Sequence, residues 1–278
     1  MNTRPVAPVK VACCQVAPRI GELAHNRALA EGAIRRAALE GAHIIVLPEL
    51  VQSGYLFRDK AEALALSEPL DGPAVSHWQA LARELGVVIA AGFCERRDDG
   101  ELANSAVLVD PDGLRAHYRK AHLWDAEKAL FIPGDAAPPV VDTVHGRLGL
   151  MICYDLEFPE WVRLPALAGA QLLCAPVNWP LGPRPQGERP AEVVRVQANA
   201  AVNRMFIAAC DRHGHERGQD WVQGSVIVDA DGFPLAGPVE GGERLLLATL
   251  DLAQADDKRI SARNDVHGDR RPALYQAP

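Results

Sequence analysis

The 278-residue sequence has no apolar run long enough to span a bilayer and no dense run of lysine or arginine. The first absence argues against a membrane protein. The second argues against a nucleic-acid or anionic-membrane partner, as does the formal net charge of −7. Met1-Asn2-Thr3-Arg4-Pro5 lacks the apolar stretch of a secretory signal, so a cytoplasmic location is expected. No C-x-x-C occurs among the six cysteines (13, 14, 94, 153, 174 and 210), and most lie in apolar, strand-like runs. Free thiols in a reducing compartment fit that pattern better than disulfides or a structural zinc. Gly146-Arg147-Leu148-Gly149 lacks the spacing of a dinucleotide loop, and neither a phosphate-binding loop nor a G-x-S-x-G elbow is present. His213-Gly214-His215-Glu216 lies among Asp211, Arg212 and Arg217 and reads as a solvated loop rather than a metal site.

Hydrophobic residues make up 48% and charged residues 23%, enough apolar material for a large core. The pattern along the chain is strand, helix, strand, helix, two strands, then much the same again. Strands are expected at 9–16, 42–47, 87–93, 104–110, 140–144, 171–176, 206–210, 225–229 and 245–250, with a further strand ending at Cys153. Long helices are expected at about 22–40, 73–85 and 191–203. The first should turn Ala30, Ala33, Ile34, Ala37 and Ala38 to one face, with Gly41 as its stop. The last should turn Val194, Ala198, Ala201 and Val202 to the core. Cys13 and Cys14, adjacent on a strand, should point to opposite faces and serve as packing residues. No repeat or biased linker marks a boundary, so residues 1–278 are expected to form a single α/β domain of two similar halves, with helices covering stacked sheets.

The chain is organised around Gly149-Leu150-Met151-Ile152-Cys153-Tyr154-Asp155-Leu156-Glu157-Phe158-Pro159-Glu160. This reads as a buried strand, a sharp turn at Cys153, and a helix with Pro159 and Glu160 in its first turn. A thiol at such a turn lies near free backbone N–H groups, which would favour the thiolate. Glu49 follows the apolar run Ala42 to Leu47, at a strand end where α/β proteins gather their chemistry. Lys120 sits in the connecting segment Arg119-Lys120-Ala121-His122-Leu123-Trp124. Cleaving a carbon–nitrogen bond covalently needs a nucleophile, a proton carrier and a positive group for the oxyanion. Cys153, Glu49 and Lys120 fill those roles without a metal or cofactor.

Pro48-Glu49-Leu50, Tyr118-Arg119-Lys120-Ala121-His122-Leu123 and Cys153-Tyr154-Asp155-Leu156-Glu157-Phe158-Pro159-Glu160 resemble, in order and spacing, the three signatures of the nitrilase superfamily of carbon–nitrogen hydrolases. Glu127, in Glu127-Lys128-Ala129-Leu130-Phe131-Ile132-Pro133-Gly134, resembles the family's second glutamate. The resemblance implies a four-layer αββα sandwich, extended to αββα–αββα in a homodimer or higher homo-oligomer. It implies Cys153 as nucleophile, Glu49 as general base and Lys120 as oxyanion stabiliser. Glu127 would position the substrate or assist proton transfer, and the backbone N–H of Tyr154 would complete the oxyanion hole.

Specificity is expected in the loops around Gln52 to Tyr55 and Asn178 to Glu188, with Tyr55, Asn178 and Trp179 as substrate-binding candidates. Cys-Tyr-Asp at the nucleophile resembles the amidase branch more than the Cys-Trp-Glu of nitrilases or the Cys-Asn-Asp of D-amino-acid carbamoylases. The expected substrate is therefore a small-molecule amide, cleaved through a thioester with release of ammonia. An N-carbamoyl amine hydrolase, a nitrilase and a catalytically silent binding module of the same fold remain the alternatives. The polar tail 258–278, with Ile260, Val266, Leu274 and Tyr275, is expected to run along a neighbouring subunit.

Overall fold

A computed structural model describes residues 8–239 and 241–275. The N-terminal pentapeptide discussed above and the last three residues of the tail lie outside the described residues. The first half of the chain runs β1 (Val9–Gln15), α1 (Leu23–Leu39), β2 (Ile44–Val46), α2 (Lys60–Leu66), α3 (Pro73–Leu85), β3 (Val88–Arg96), β4 (Leu102–Asp110) and β5 (Gly113–Arg119). The second runs β6 (Val140–Thr143), β7 (Gly146–Leu150), α4 (Pro159–Leu167), β8 (Leu172–Pro176), α5 (Ala191–Asn203) and β9 (Phe206–Cys210). A small hairpin of β10 (His215–Glu216) and β11 (Gln219–Asp220) follows, then β12 (Val226–Val228), β13 (Pro234–Ala236) and β14 (Arg244–Leu250).

These strands build two six-stranded sheets, β14-β1-β2-β3-β4-β5 and β13-β12-β9-β8-β7-β6. Each has a parallel centre, β1-β2-β3 in one and β7-β8-β9 in the other, flanked by antiparallel strands. The sheets pack face to face with helices outside, the expected αββα sandwich. Alternation along β1 shows how the layers are made. Val9, Val11 and Cys13 join the core between the sheets, whereas Ala12 and Cys14 pack under α1 and α3. Cys13 and Cys14 therefore face opposite ways.

Helix α1 buries Ala30, Ala33, Ile34 and Ala37, with Ala38 only partly buried beside them, and Gly41 turns the chain with φ +80°. The expectation for α5 is corrected. Its buried face is Val193, Val196, Asn199, Ala200 and Asn203, while Val194 and Val202 are about half exposed. Two buried asparagines disguised the core face, and each donates its amide N–H to a backbone carbonyl, although Asn203 Oδ1 is left without a partner. Asn199 Nδ2 donates to the Leu156 carbonyl at 2.8 Å, and Asn203 Nδ2 to the Asn199 carbonyl at 2.9 Å. Strand β7 stops at Leu150, three residues before Cys153. Helix α2 and strand β5 were not anticipated; β5 is an edge strand that buries only Ala116 and Tyr118.

Candidate active site

Glu49 follows β2 at the carboxyl end of the parallel strands. Gly92 on β3 lets the backbones approach there: a Cβ at Gly92 would lie 2.6 Å from the Leu50 nitrogen. Leu50 itself takes a left-handed φ of 47°. Lys120 follows β5, where a Cβ at Gly134 would lie 2.2 Å from the Arg119 carbonyl oxygen. Cys153 opens a short 3₁₀ turn beyond β7 with φ +43°, again left-handed and unfavourable for a residue with a Cβ.

Two cross-sheet ties bring these segments together. The Glu49 N–H donates to the Val177 carbonyl at 3.4 Å, and Asn178 Nδ2 donates to the Glu49 carbonyl at 2.8 Å. Asp155 makes the second tie. It accepts the Tyr118 hydroxyl at 2.8 Å and the His122 N–H at 3.0 Å, fixing the cysteine turn to the segment that carries Lys120.

Glu49, Lys120 and Glu127 form one buried cluster. Lys120 Nζ donates to Glu49 Oε1 at 2.7 Å and to both Glu127 oxygens at 2.9 Å. Asn104 Nδ2 bridges Glu49 Oε1 at 2.7 Å and Glu127 Oε1 at 3.1 Å. The Tyr55 hydroxyl donates to Glu127 Oε1 at 2.7 Å, and the Trp124 N–H to Glu127 Oε2 at 2.8 Å. Glu49 Oε2 has no hydrogen-bond partner. Burial pushes the Glu49 carboxyl up to about 7 despite the opposing charge of Lys120. Burial alone would lower Lys120, but the charges of Glu127 and Glu49 hold it well above its ordinary value. It is a fixed cation.

Burial, then the Glu49 charge, raises the Cys153 thiol well above its ordinary value, and Lys120 only partly offsets this. The expectation that the turn favours the thiolate is therefore corrected: it does not outweigh desolvation and the carboxylate charge. A proton can instead pass from the thiol to a carboxylate whose affinity has been raised, with no net charge change in a buried site. Cys153 Sγ lies 3.6 Å from the Asn178 carbonyl oxygen.

Above the thiol is a cavity of about 220 Å³, lined by Trp124, Tyr154, Asn178 and Trp179, with Glu157, Glu192 and Arg195 also on its wall. Arg195 pairs with Glu157 at 2.6 Å. Tyr154, Asn178 and Trp179 are thus brought to the cavity wall, whereas Tyr55 is held against Glu127 behind it. Tyr55 packs edge-on to Trp221, with ring centroids 5.5 Å apart. The Trp179 N–H donates to buried Asp211 at 3.1 Å.

Residue-type reasoning missed Asn104, Trp124 and Arg195, as well as the tie through Asp155. Asn104-Ser105, polar in the middle of an apolar strand, was the available signal. The 213–216 segment is also corrected. It enters a hairpin, and Asp211, Arg212 and Glu216 around it are buried rather than solvated.

The family model for carbon–nitrogen hydrolases matches residues 10–260. A protein named nitrilase from Pyrococcus abyssi is 37% identical, with 96% of this chain and 99% of that protein covered. N-carbamoylputrescine amidase from Solanum lycopersicum is 33% identical, covering 98% and 93%. An amidase from Nesterenkonia sp. AN1 superposes with a TM-score of 0.79 at 28% identity, covering 99% of this chain and 97% of that one. In that structure, the acetamide moiety of fluoroacetamide is added covalently at the active-site cysteine. With its αββα sandwich and its match along 10–260, the chain belongs to the carbon–nitrogen hydrolase family of the nitrilase superfamily.

Proposed function

We propose that this enzyme hydrolyses small primary amides through a thioester on Cys153. Glu49 takes the thiol proton as sulfur attacks the carbonyl carbon. Lys120 and the Tyr154 backbone N–H stabilise the resulting oxyanion. The tetrahedral adduct collapses, the carbon–nitrogen bond breaks, and the nitrogen receives the Glu49 proton and leaves as ammonia. Glu49 then takes a proton from water, which attacks the thioester. The carbon–sulfur bond breaks, and the carboxylic acid departs as the thiol is reprotonated. Glu127 holds Lys120 in place, with Tyr55 oriented on Glu127, while Asn178 and Trp179 shape the acyl pocket.

The observation that carries this reading is a buried Glu49 whose charge acts on the Cys153 thiol, with its own carboxyl pushed up to about 7 and one oxygen unpartnered. A base with that proton affinity suits transfers in both directions near neutral pH. The cavity of about 220 Å³ suits a short acyl group. Ammonia release from matched small amides, N-carbamoyl amines and nitriles tests the reaction. Amides should be fastest; faster release from nitriles would overturn the amide preference and leave the nucleophile assignment standing.

The whole chain acts as one domain in this reading, in line with the span of the family match. Six free, buried cysteines support a reducing, cytoplasmic setting. We also propose a homodimer. Leu164 and Leu167 on α4, Val202 on α5, and Ile260 and Tyr275 of the tail line one groove and leave large apolar side chains exposed.

A further inference from the structure

Asp211 and Arg212 follow β9 directly, and both are buried although neither lines the cavity above Cys153. Arg212 Nη1 pairs with Glu216 Oε2 at 3.0 Å, and Nη2 donates to the Pro18 carbonyl at 2.7 Å. The guanidinium lies over the Trp221 ring, 4.5 Å from its centroid. Glu216 uses its other oxygen, Oε1, to accept the Tyr55 N–H at 2.9 Å and the Leu56 N–H at 2.7 Å. Tyr55 is therefore gripped at three points: its amide by Glu216, its ring edge by Trp221, and its hydroxyl by Glu127.

This ion pair is poorly arranged for stability alone. Arg212 Nε and Trp221 Nε1 are buried without partners. An apolar pair of similar volume would avoid burying two charges, but it would leave the Tyr55 and Leu56 N–H groups and the Pro18 carbonyl without these partners. A charged pair does something an apolar one cannot: a single carboxylate oxygen fixes two consecutive backbone N–H groups while the guanidinium fixes that carboxylate. The loop it fixes is tight. A Cβ at Gly54 would lie 2.5 Å from the Ile20 Cα and 2.9 Å from Glu216 Oε2.

We infer that Arg212 and Glu216 are positioning residues for the reaction proposed above, acting through Tyr55. The pair sets the Tyr55 backbone, the Tyr55 hydroxyl sets Glu127, and Glu127 sets Lys120 against Glu49. Oxyanion stabilisation and proton transfer both depend on placement to a fraction of an ångström, so a small shift of this loop slows chemistry more than binding.

The test is a double-mutant cycle on the full chain, with Glu216→Gln and Tyr55→Phe alone and together. Two readouts are kcat and KM for a small primary amide and the rate of Cys153 alkylation by iodoacetamide. The alkylation arm needs no turnover, so it tests the pair even if the amide reading fails. Glu216→Gln should lower kcat and the alkylation rate at least about tenfold, leave KM within about twofold, and lose most of that effect once Tyr55→Phe is present. If Glu216→Gln does not fold, Arg212→Lys, which keeps the charge but not the two-pronged grip, enters the same cycle. Equal losses in both Tyr55 backgrounds, or a loss confined to KM or melting temperature, would overturn the inference.

Discussion

The two sheets bring opposite kinds of chemistry to one site. The β1–β5 sheet contributes charge: Glu49, Lys120 and, beyond it, Glu127 form a buried cluster tied by Asn104 and Tyr55. The other sheet contributes a neutral thiol on a left-handed turn, open to the cavity. The first half is rigid because burying three charges costs too much unless each is paired and hydrogen-bonded. The second is strained because the sulfur must project from a turn rather than lie along a strand. Neither half alone can cleave an amide. The ties through Asn178 and Asp155 determine whether they meet.

Removing the proposed nucleophile from the neutral half should have the largest effect. Cys153→Ala should lower turnover by at least about 10⁴-fold with the melting temperature nearly unchanged, since it takes one sulfur from a cavity wall. An acyl adduct mapped to Cys94, Cys174 or Cys210 by mass spectrometry would contradict the assignment. Breaking the charged half should cost less activity but more stability. Lys120→Met should slow amide turnover on the order of a hundredfold or more, as loss of an oxyanion donor does. It should also destabilise the fold by about 3 kcal/mol, because Glu49 and Glu127 are left facing one another in a buried site. Chemical denaturation beside kinetics separates the two effects.

The same division explains what the sequence revealed. Glu49 and Cys153 were legible because each ends an apolar run with an abrupt polar break, and Lys120 because its neighbours complete a family signature. The supporting contacts were hidden because they join distant positions. The Glu216 carboxylate and Tyr55 N–H are 161 residues apart, and Asp155 and His122 are 33 apart. Residue spacing reports which face of an element is apolar, not which loop another element will grip. The parallel centres of both sheets were legible for the same reason, as continuous apolar runs. Strand β5, polar and at an edge, was not.

A smaller effect should appear on titration. Glu49 is raised from 4.5 to about 7, and buried Asp211 from 3.8 to about 7. Between those limits the folded chain holds protons that the unfolded chain has released. Their contribution to stability is therefore complete below the lower values and is lost as pH rises to about 7. Activity should run the opposite way, rising through about pH 7 as Glu49 ionises. Glu62 and Glu95, both lowered to about 2, lose their contributions only on the acid side of this window. The melting temperature of Glu49→Gln relative to the parent should climb between about pH 5 and 8. A constant difference would show that the Glu49 carboxyl is not raised into this window.

The smallest effect on chemistry should come from the outer face of the second sheet's helices. Val194 and Val202, which the apolar pattern of α5 assigns to the core, are 50% and 46% exposed. They belong to a stripe that is apolar without facing the interior, and α4 adds Leu164 and Leu167 at 39% and 41%. One helix with two apolar faces is explained if the inner face meets the sheet and the outer face meets another subunit. Val202→Asp would place a charge on the outer face without touching the cluster around Lys120. Light scattering should then find a monomer in place of the dimer proposed for the parent. Turnover per chain should stay within about threefold, as surface changes remote from a site usually allow. A dimer that survives Val202→Asp together with Leu167→Asp would place the subunit contact elsewhere and leave the second apolar stripe of α5 without a partner.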